Sequence, residues 1–242
     1  MTAADMTHLI RLSLKRDDAA VAPLLRDLMP AAAEDAMTLH HRLLWTLYAD
    51  RLERRANEAP FLWRRMDEPG RFMVLGPQPA LQSPYFKVEA KPFDVHFFEG
   101  QRLAFELRLN ATADIKAKGE TGARGRRTDI VLAALHRLQQ AGDGRPRSGA
   151  LRVEAAQAAV EHWMNNRAAA GGFLVERLLV SGYRAVSPPM PRKSGRTLVG
   201  ISDVEGVLRV VDPAAFRTRL LGGFGRMKAY GCGLMLVRPA PG

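Results

Sequence analysis

The sequence contains a single cysteine, Cys232, among 242 residues. One thiol excludes an internal disulfide and a cysteine-built metal site, and it fits a reducing cytoplasm. Lysine is also scarce: seven of the 36 basic residues are lysine and the other 29 are arginine. No apolar run is long enough to span a bilayer. The start, M-T-A-A-D-M-T-H, carries acid where an export signal carries base, so export is not expected. Acids are scattered, with no D-x-D or E-x-x-H pattern, which argues against a two-metal nuclease. A G-x-x-x-x-G-K-[ST] phosphate loop is lacking as well. No metal or cofactor is therefore expected.

What is present is positive charge. The net charge is +11, and most of it is guanidinium. Arginine forks grip phosphates bidentately and stack on bases, so the balance favours a nucleic-acid partner over a membrane. Apolar residues make up 47% of the chain, enough for real cores. Its length suits two domains of roughly 100–200 residues each.

The densest feature is the stretch 222–233, G-G-F-G-R-M-K-A-Y-G-C-G, with five glycines in twelve positions. Glycine permits left-handed backbone and close approach. Free N–H groups in such a loop form a concavity that suits phosphate oxygens, with Arg226 and Lys228 adding charge. The same pattern also fits a tight turn packed on a neighbour. The apolar run 234–237 that follows reads as a buried strand.

Residues 7–15 alternate as an opening strand, and 21–29 hold a short helix stopped by Pro30. A long helix is expected over 34–55. Strands at 61–66 and 71–75 are joined by D-E-P-G, a turn sequence. A second pair, 94–98 and 102–110, follows across Glu99-Gly100-Gln101. Residues 114–127 form a basic linker or hairpin. Helices are expected at 129–140 and 152–167, a strand at 173–187, and strands at 197–201 and 207–211. Asp212-Pro213 opens a helix to 221. This order suggests an α+β chain of two tandem ferredoxin-like (RRM-like) β-α-β-β-α-β domains, 1–113 and 128–242, joined by 114–127.

Six histidines offer acid–base chemistry near neutral pH. On the long helix His40 falls inside the apolar arc and reads as a core residue. His41 falls at its edge, where it can serve either packing or chemistry. The chemistry open to it is cleavage of RNA by its own 2′-hydroxyl, with the pentacovalent charge held by cations and amides. Lys193, Arg196, Arg226 and Lys228 are candidates for that support.

His41-Arg42-Leu43-Leu44-Trp45, with Leu47 and Tyr48, resembles the H-R-x-L-W-x-L-F segment of CasE proteins, the CRISPR repeat-processing endoribonucleases of the Cascade complex. Phe61-Leu62-Trp63-Arg64 resembles their next strand. Lys91-Pro92-Phe93 and Gly100-Gln101-Arg102-Leu103-x-Phe105-x-Leu107-Arg108-x-Asn110 are similar to their K-P-F and G-Q-R-L-x-F-x-L-R-x-N stretches. Glu205-Gly206-Val207-Leu208, Val211-Asp212-Pro213 and the 223–234 segment resemble the E-G-x-L, V-x-D-P and G-x-G-x-x-K-x-x-G-x-G-L signature. The resemblance implies metal-independent cleavage at the 3′ base of a repeat hairpin. It also implies a product that stays bound, so that the enzyme joins the other Cascade subunits. It places catalysis on His41. Thr38 stands where a tyrosine is common; it can hydrogen-bond but is not a phenol. With Lys193 it is a candidate for catalytic support. Arg42, Lys116, Lys118, Arg124, Arg126, Arg127, Arg192, Arg196, Gly223, Gly225, Arg226 and Lys228 are the candidate RNA contacts. The alternative is a non-catalytic hairpin-binding subunit of the same fold.

Overall fold

The computed structural model describes residues 6–19, 21–23, 33–49, 52, 59–115, 126–141, 149–188 and 198–241. The chain forms two compact units. One holds Met1–His96, Ser187–Thr197 and Met227–Leu234; the other holds Phe97–Val186, Leu198–Arg226 and Met235–Gly242.

The first unit contains β1 (His8–Leu14), α1 (Ala33–Trp45), β2 (Leu62–Arg65), β3 (Arg71–Gly76) and β4 (Phe86–Pro92). Its antiparallel sheet runs in the order β2-β3-β1-β4. The period-two pattern of β1 puts His8, Ile10, Leu12 and Leu14 on the buried face. Cross-strand partners continue that face: Leu12 meets Phe72, Ile10 meets Val74 and Leu14 meets Phe86. Leu43, Leu44 and Trp45 of α1 complete the same core. Each fully buried side chain of this size contributes about 1.5–3 kcal/mol.

The second unit contains β5 (Arg102–Leu109), β6 (Thr112–Ile115), β7 (Arg126–Asp129), α2 (Ile130–Ala141), α3 (Gly149–Ala168), β8 (Phe173–Val186), β9 (Val199–Val210), α4 (Pro213–Gly222) and β10 (Met235–Pro239). Its antiparallel sheet runs in the order β10-β5-β9-β8. In each sheet the first strand lies between the last and the third. That order defines the ferredoxin-like fold, so the chain is two such domains in tandem. The β6–β7 hairpin is an insertion in the second. No helix among the described residues is long and apolar enough to cross a membrane.

Four local expectations change. The long helix stops at Trp45, short of 55. There the ladder tightens to three-residue spacing, with Thr46, Leu47 and Tyr48 N–H donating to Leu43, Leu44 and Trp45 at 3.0–3.1 Å. Residues 93–98 form no strand, because β5 pairs with β9 and β10 instead. The turn at Gly100 (φ 79°) is tied to β9, its N–H donating to Val210 O at 2.8 Å. The break expected at 202–206, between strands 197–201 and 207–211, is absent, and β9 runs through it. Gly206 is there because a bulge in β8 pushes the Arg177 carbonyl against it; a Cβ would sit 2.1 Å from that oxygen. Finally, the units part at 96/97 rather than at 113, since β5 takes its partners from the second sheet. The helix expected at 21–29 lies mostly outside the described residues.

Candidate active site and nucleic-acid interface

The two adjacent histidines of α1 have different surroundings. His40 is 5% exposed. Its ring meets Phe72 edge-on at 4.9 Å and Trp63 at 6.3 Å. Burial, with the Arg65 and Arg16 charges, pulls it from 6.5 down to about 4. His40 is a neutral core residue at physiological pH, as its position in the apolar arc predicts.

His41 is half-buried. The indole N–H of Trp45, one helical turn on, donates to its Nε2 at 3.0 Å. Nε2 therefore accepts, and the neutral ring carries its proton on Nδ1. Phe61 lies 5.9 Å from the ring, and Trp63 lies nearly parallel to it, at 6.5 Å and 19°. Three aromatic side chains thus fix the imidazole plane. Arg42, the next residue, is exposed.

The glycine-rich stretch is divided between the units. In the second, Gly225 (φ 66°) sits where a Cβ would lie 2.5 Å from Asn110 O. The Arg226 N–H donates to that same carbonyl at 3.0 Å. Asn110 is buried, and its side-chain amide donates to Gly200 O at 2.7 Å and Asp129 Oδ2 at 3.3 Å. Asp129 also caps α2, its Oδ1 accepting from the Val131 and Leu132 N–H groups at 3.0 Å. Burial pushes this carboxyl up, and the backbone donors offset part of the rise.

In the first unit, Met227 takes up left-handed backbone (φ 58°) ahead of a short 3-10 turn, Lys228–Tyr230. The turn packs against α1 and β2. Gly231 closes it, and a Cβ there would stand 3.2 Å from the Trp63 ring. Lys228 and Tyr230 are half-buried. Burial pushes the Tyr230 phenol up, while the Arg42 charge pulls it down, so the two groups share one field. His41, Arg42, Lys228 and Tyr230 therefore belong to one patch of the first unit, with Trp63 beneath.

Part of this loop's backbone is engaged by the protein's own chain. The N–H groups of Gly223, Arg226, Tyr230, Gly231 and Cys232 donate to Arg219, Asn110, Met227, Lys228 and Met227 carbonyls. Gly225 and Gly231 serve close approach to the protein's own chain.

Among the other expected residues, the Thr38 hydroxyl is buried and meets no hydrogen-bond partner among the described residues. Arg127 is held by Asp114 across the β6–β7 hairpin, through Nε–Oδ1 at 2.8 Å and Nη2–Oδ2 at 3.2 Å, so its charge is already matched. Arg126 lies on β7. Lys116, Lys118, Arg124, Arg192, Lys193 and Arg196 lie outside the described residues. Tyr230 and the roles of Trp45 and Trp63 are not expected from the sequence. The four-residue step from His41 to Trp45 was the visible signal for the indole bond. Nothing local pointed to Trp63 or Tyr230, whose places depend on distant chain. Among the described residues no three His, Cys, Asp or Glu side chains group as metal ligands.

Residues 7–239 match the family described as "CRISPR associated protein", and the chain belongs to that family. Among solved structures it is similar to the CRISPR endoribonuclease Cse3 bound to 19-nucleotide RNA. Identity there is 25%, the TM-score is 0.63, and the match covers 97% of this chain and 100% of the other. Cse3 of Thermus thermophilus, bound to an RNA representing a pre-cleavage complex, matches with the same identity, TM-score and coverage. The CRISPR-associated protein Cas6e of Escherichia coli K-12 shares the fold at 17% identity and TM-score 0.51, over 96% of this chain and 100% of the other. No curated protein sequence matches the chain.

Proposed function

We propose that the chain is a metal-independent endoribonuclease of the cytoplasm that cleaves CRISPR repeat RNA at the 3′ base of its hairpin. The product stays bound and the protein takes its place among the Cascade subunits. The observation that carries this is the imidazole of His41, half-buried and held by Trp45, Phe61 and Trp63 beside a turn bearing Lys228 and Tyr230. The full-length likeness to RNA-bound Cse3 at 25% identity supports the substrate. In this reading a base takes the 2′-hydroxyl proton and O2′ bonds to the adjacent phosphorus. The P–O5′ bond then breaks and the leaving 5′-oxygen takes up a proton, giving a 2′,3′-cyclic phosphate and a 5′-hydroxyl. His41 moves one of these protons. Arg42 and Lys228 lower the cost of charge building on the phosphoryl oxygens.

Incubation with repeat-hairpin RNA in EDTA tests the proposal. Cleavage by the wild type, lost in His41→Ala while binding persists, is the expected result. Equal cleavage by both proteins rejects His41. Binding without cleavage by the wild type selects the non-catalytic subunit, a reading that the buried Thr38 hydroxyl favours.

A further inference from the structure

Most of the described arginines on the second sheet are neutralised. Glu176 bridges Arg102 and Arg209, and Asp203 bridges Arg108 and Arg184, all at 2.7–2.9 Å. Two arginines elsewhere in the same unit have the opposite arrangement. Arg167, at the end of α3, lies over the Trp163 ring with its guanidinium carbon 4.0 Å from the centroid. Its Nη1 also donates to Trp163 O at 3.2 Å. Arg219, on α4, lies over Phe224 at 5.9 Å. Its stem covers Gly171, one turn beyond Arg167, with Cγ 3.5 Å from where a Cβ would stand. The Arg219 charge reaches Arg167. Burial, then the Arg219 charge, pulls Arg167 below the ordinary arginine range. Among the described residues neither arginine meets a carboxylate.

Two half-buried like charges whose fields overlap are costly unless an anion completes them. Aromatic stacking fixes the guanidinium planes and leaves their edges to donate. We propose that Arg167 and Arg219, both of the second unit, form a binding site for one backbone phosphate of the RNA. The proposal rests on the RNA-processing reading above. A phosphodiester presents two unesterified oxygens, one for each fork. The net charge of +11 favours RNA over an acidic protein segment as the source.

The full-length protein, Arg167→Gln, Arg219→Gln and the double variant are titrated with labelled repeat-hairpin RNA over a series of KCl concentrations. Circular dichroism and melting temperature check that each is folded. The double variant should bind about tenfold more weakly, with a salt slope shallower by about one phosphate contact. Its single-turnover cleavage rate at saturating protein should equal that of wild type. Unchanged affinity and slope in a folded double variant overturn the proposal. So does protection of the wild type by inorganic phosphate with RNA binding unaltered, which would mark a free-anion site. Normal RNA binding with failed assembly into the larger complex would make the pair a protein contact and equally overturn it. If the wild type does not bind the hairpin at all, the functional reading falls first.

Discussion

His40 makes the protein acid-sensitive in a calculable way. The perturbation is a fall in pH with no change in sequence. In the unfolded chain His40 titrates near 6.5, and in the folded protein near 4, because its ring is buried against Phe72 and Trp63 under the Arg65 and Arg16 charges. The folded-state value is the lower one, so between the two the unfolded chain binds the extra proton. The stability this residue contributes is complete above about pH 6.5 and is lost as pH falls toward 4. For one site with these values, the loss is about 2 kcal/mol at pH 5 and about 3 kcal/mol at pH 4. The assay is urea unfolding of wild type and His40→Leu at neutral pH and down to pH 4.5. Other groups titrate in both proteins and cancel in the difference. The gap between them should shift in favour of His40→Leu by about 2 kcal/mol on reaching pH 5. Parallel curves, with no pH-dependent gap, would refute the buried neutral ring and with it the division of labour between His40 and His41.

Two other substitutions test the scaffold. Gly225→Ala puts a Cβ 2.5 Å from Asn110 O at a φ of 66°, so it should lower stability by at least about 2 kcal/mol in thermal melts. A melting temperature equal to wild type would contradict that close approach. Trp45→Phe keeps an aromatic body but removes the donor to His41 Nε2, at a cost of about 1 kcal/mol. Single-turnover cleavage should slow severalfold with hairpin affinity unchanged, and an unaltered rate would show that the indole does not position the imidazole.

The β1 alternation was legible because one face of that strand is buried and the other is not. Asp212-Pro213 gave its helix start correctly, since the Asp212 carboxylate does cap Ala214 and Ala215 N–H groups at 2.9 and 3.0 Å. The His40/His41 split followed from helical angle alone. What failed was non-local. Gly206 resembles a turn glycine until the bulge opposite it is known, and β5 resembles a hairpin partner of 94–98 until β9 and β10 compete for its edges. In the glycine-rich stretch the Arg226 N–H goes to Asn110 O, a carbonyl more than a hundred residues away in the chain, and no local pattern marks that pairing. Tyr230 was hidden for the same reason: only the folded turn brings it into the field of Arg42.

The octapeptide Met227–Leu234 belongs to the unit whose first stretch ends at His96, although Arg226 before it and Met235 after it belong to the other. During synthesis, a ribosome that has delivered both histidines has therefore delivered only part of their surroundings. Lys228, Tyr230 and the glycine against Trp63 arrive after residue 226, once nearly the whole second sheet has been made. A polypeptide cut at residue 113 would carry the imidazole without this strip, and supplying the missing residues in trans is the way to ask whether they alone restore it.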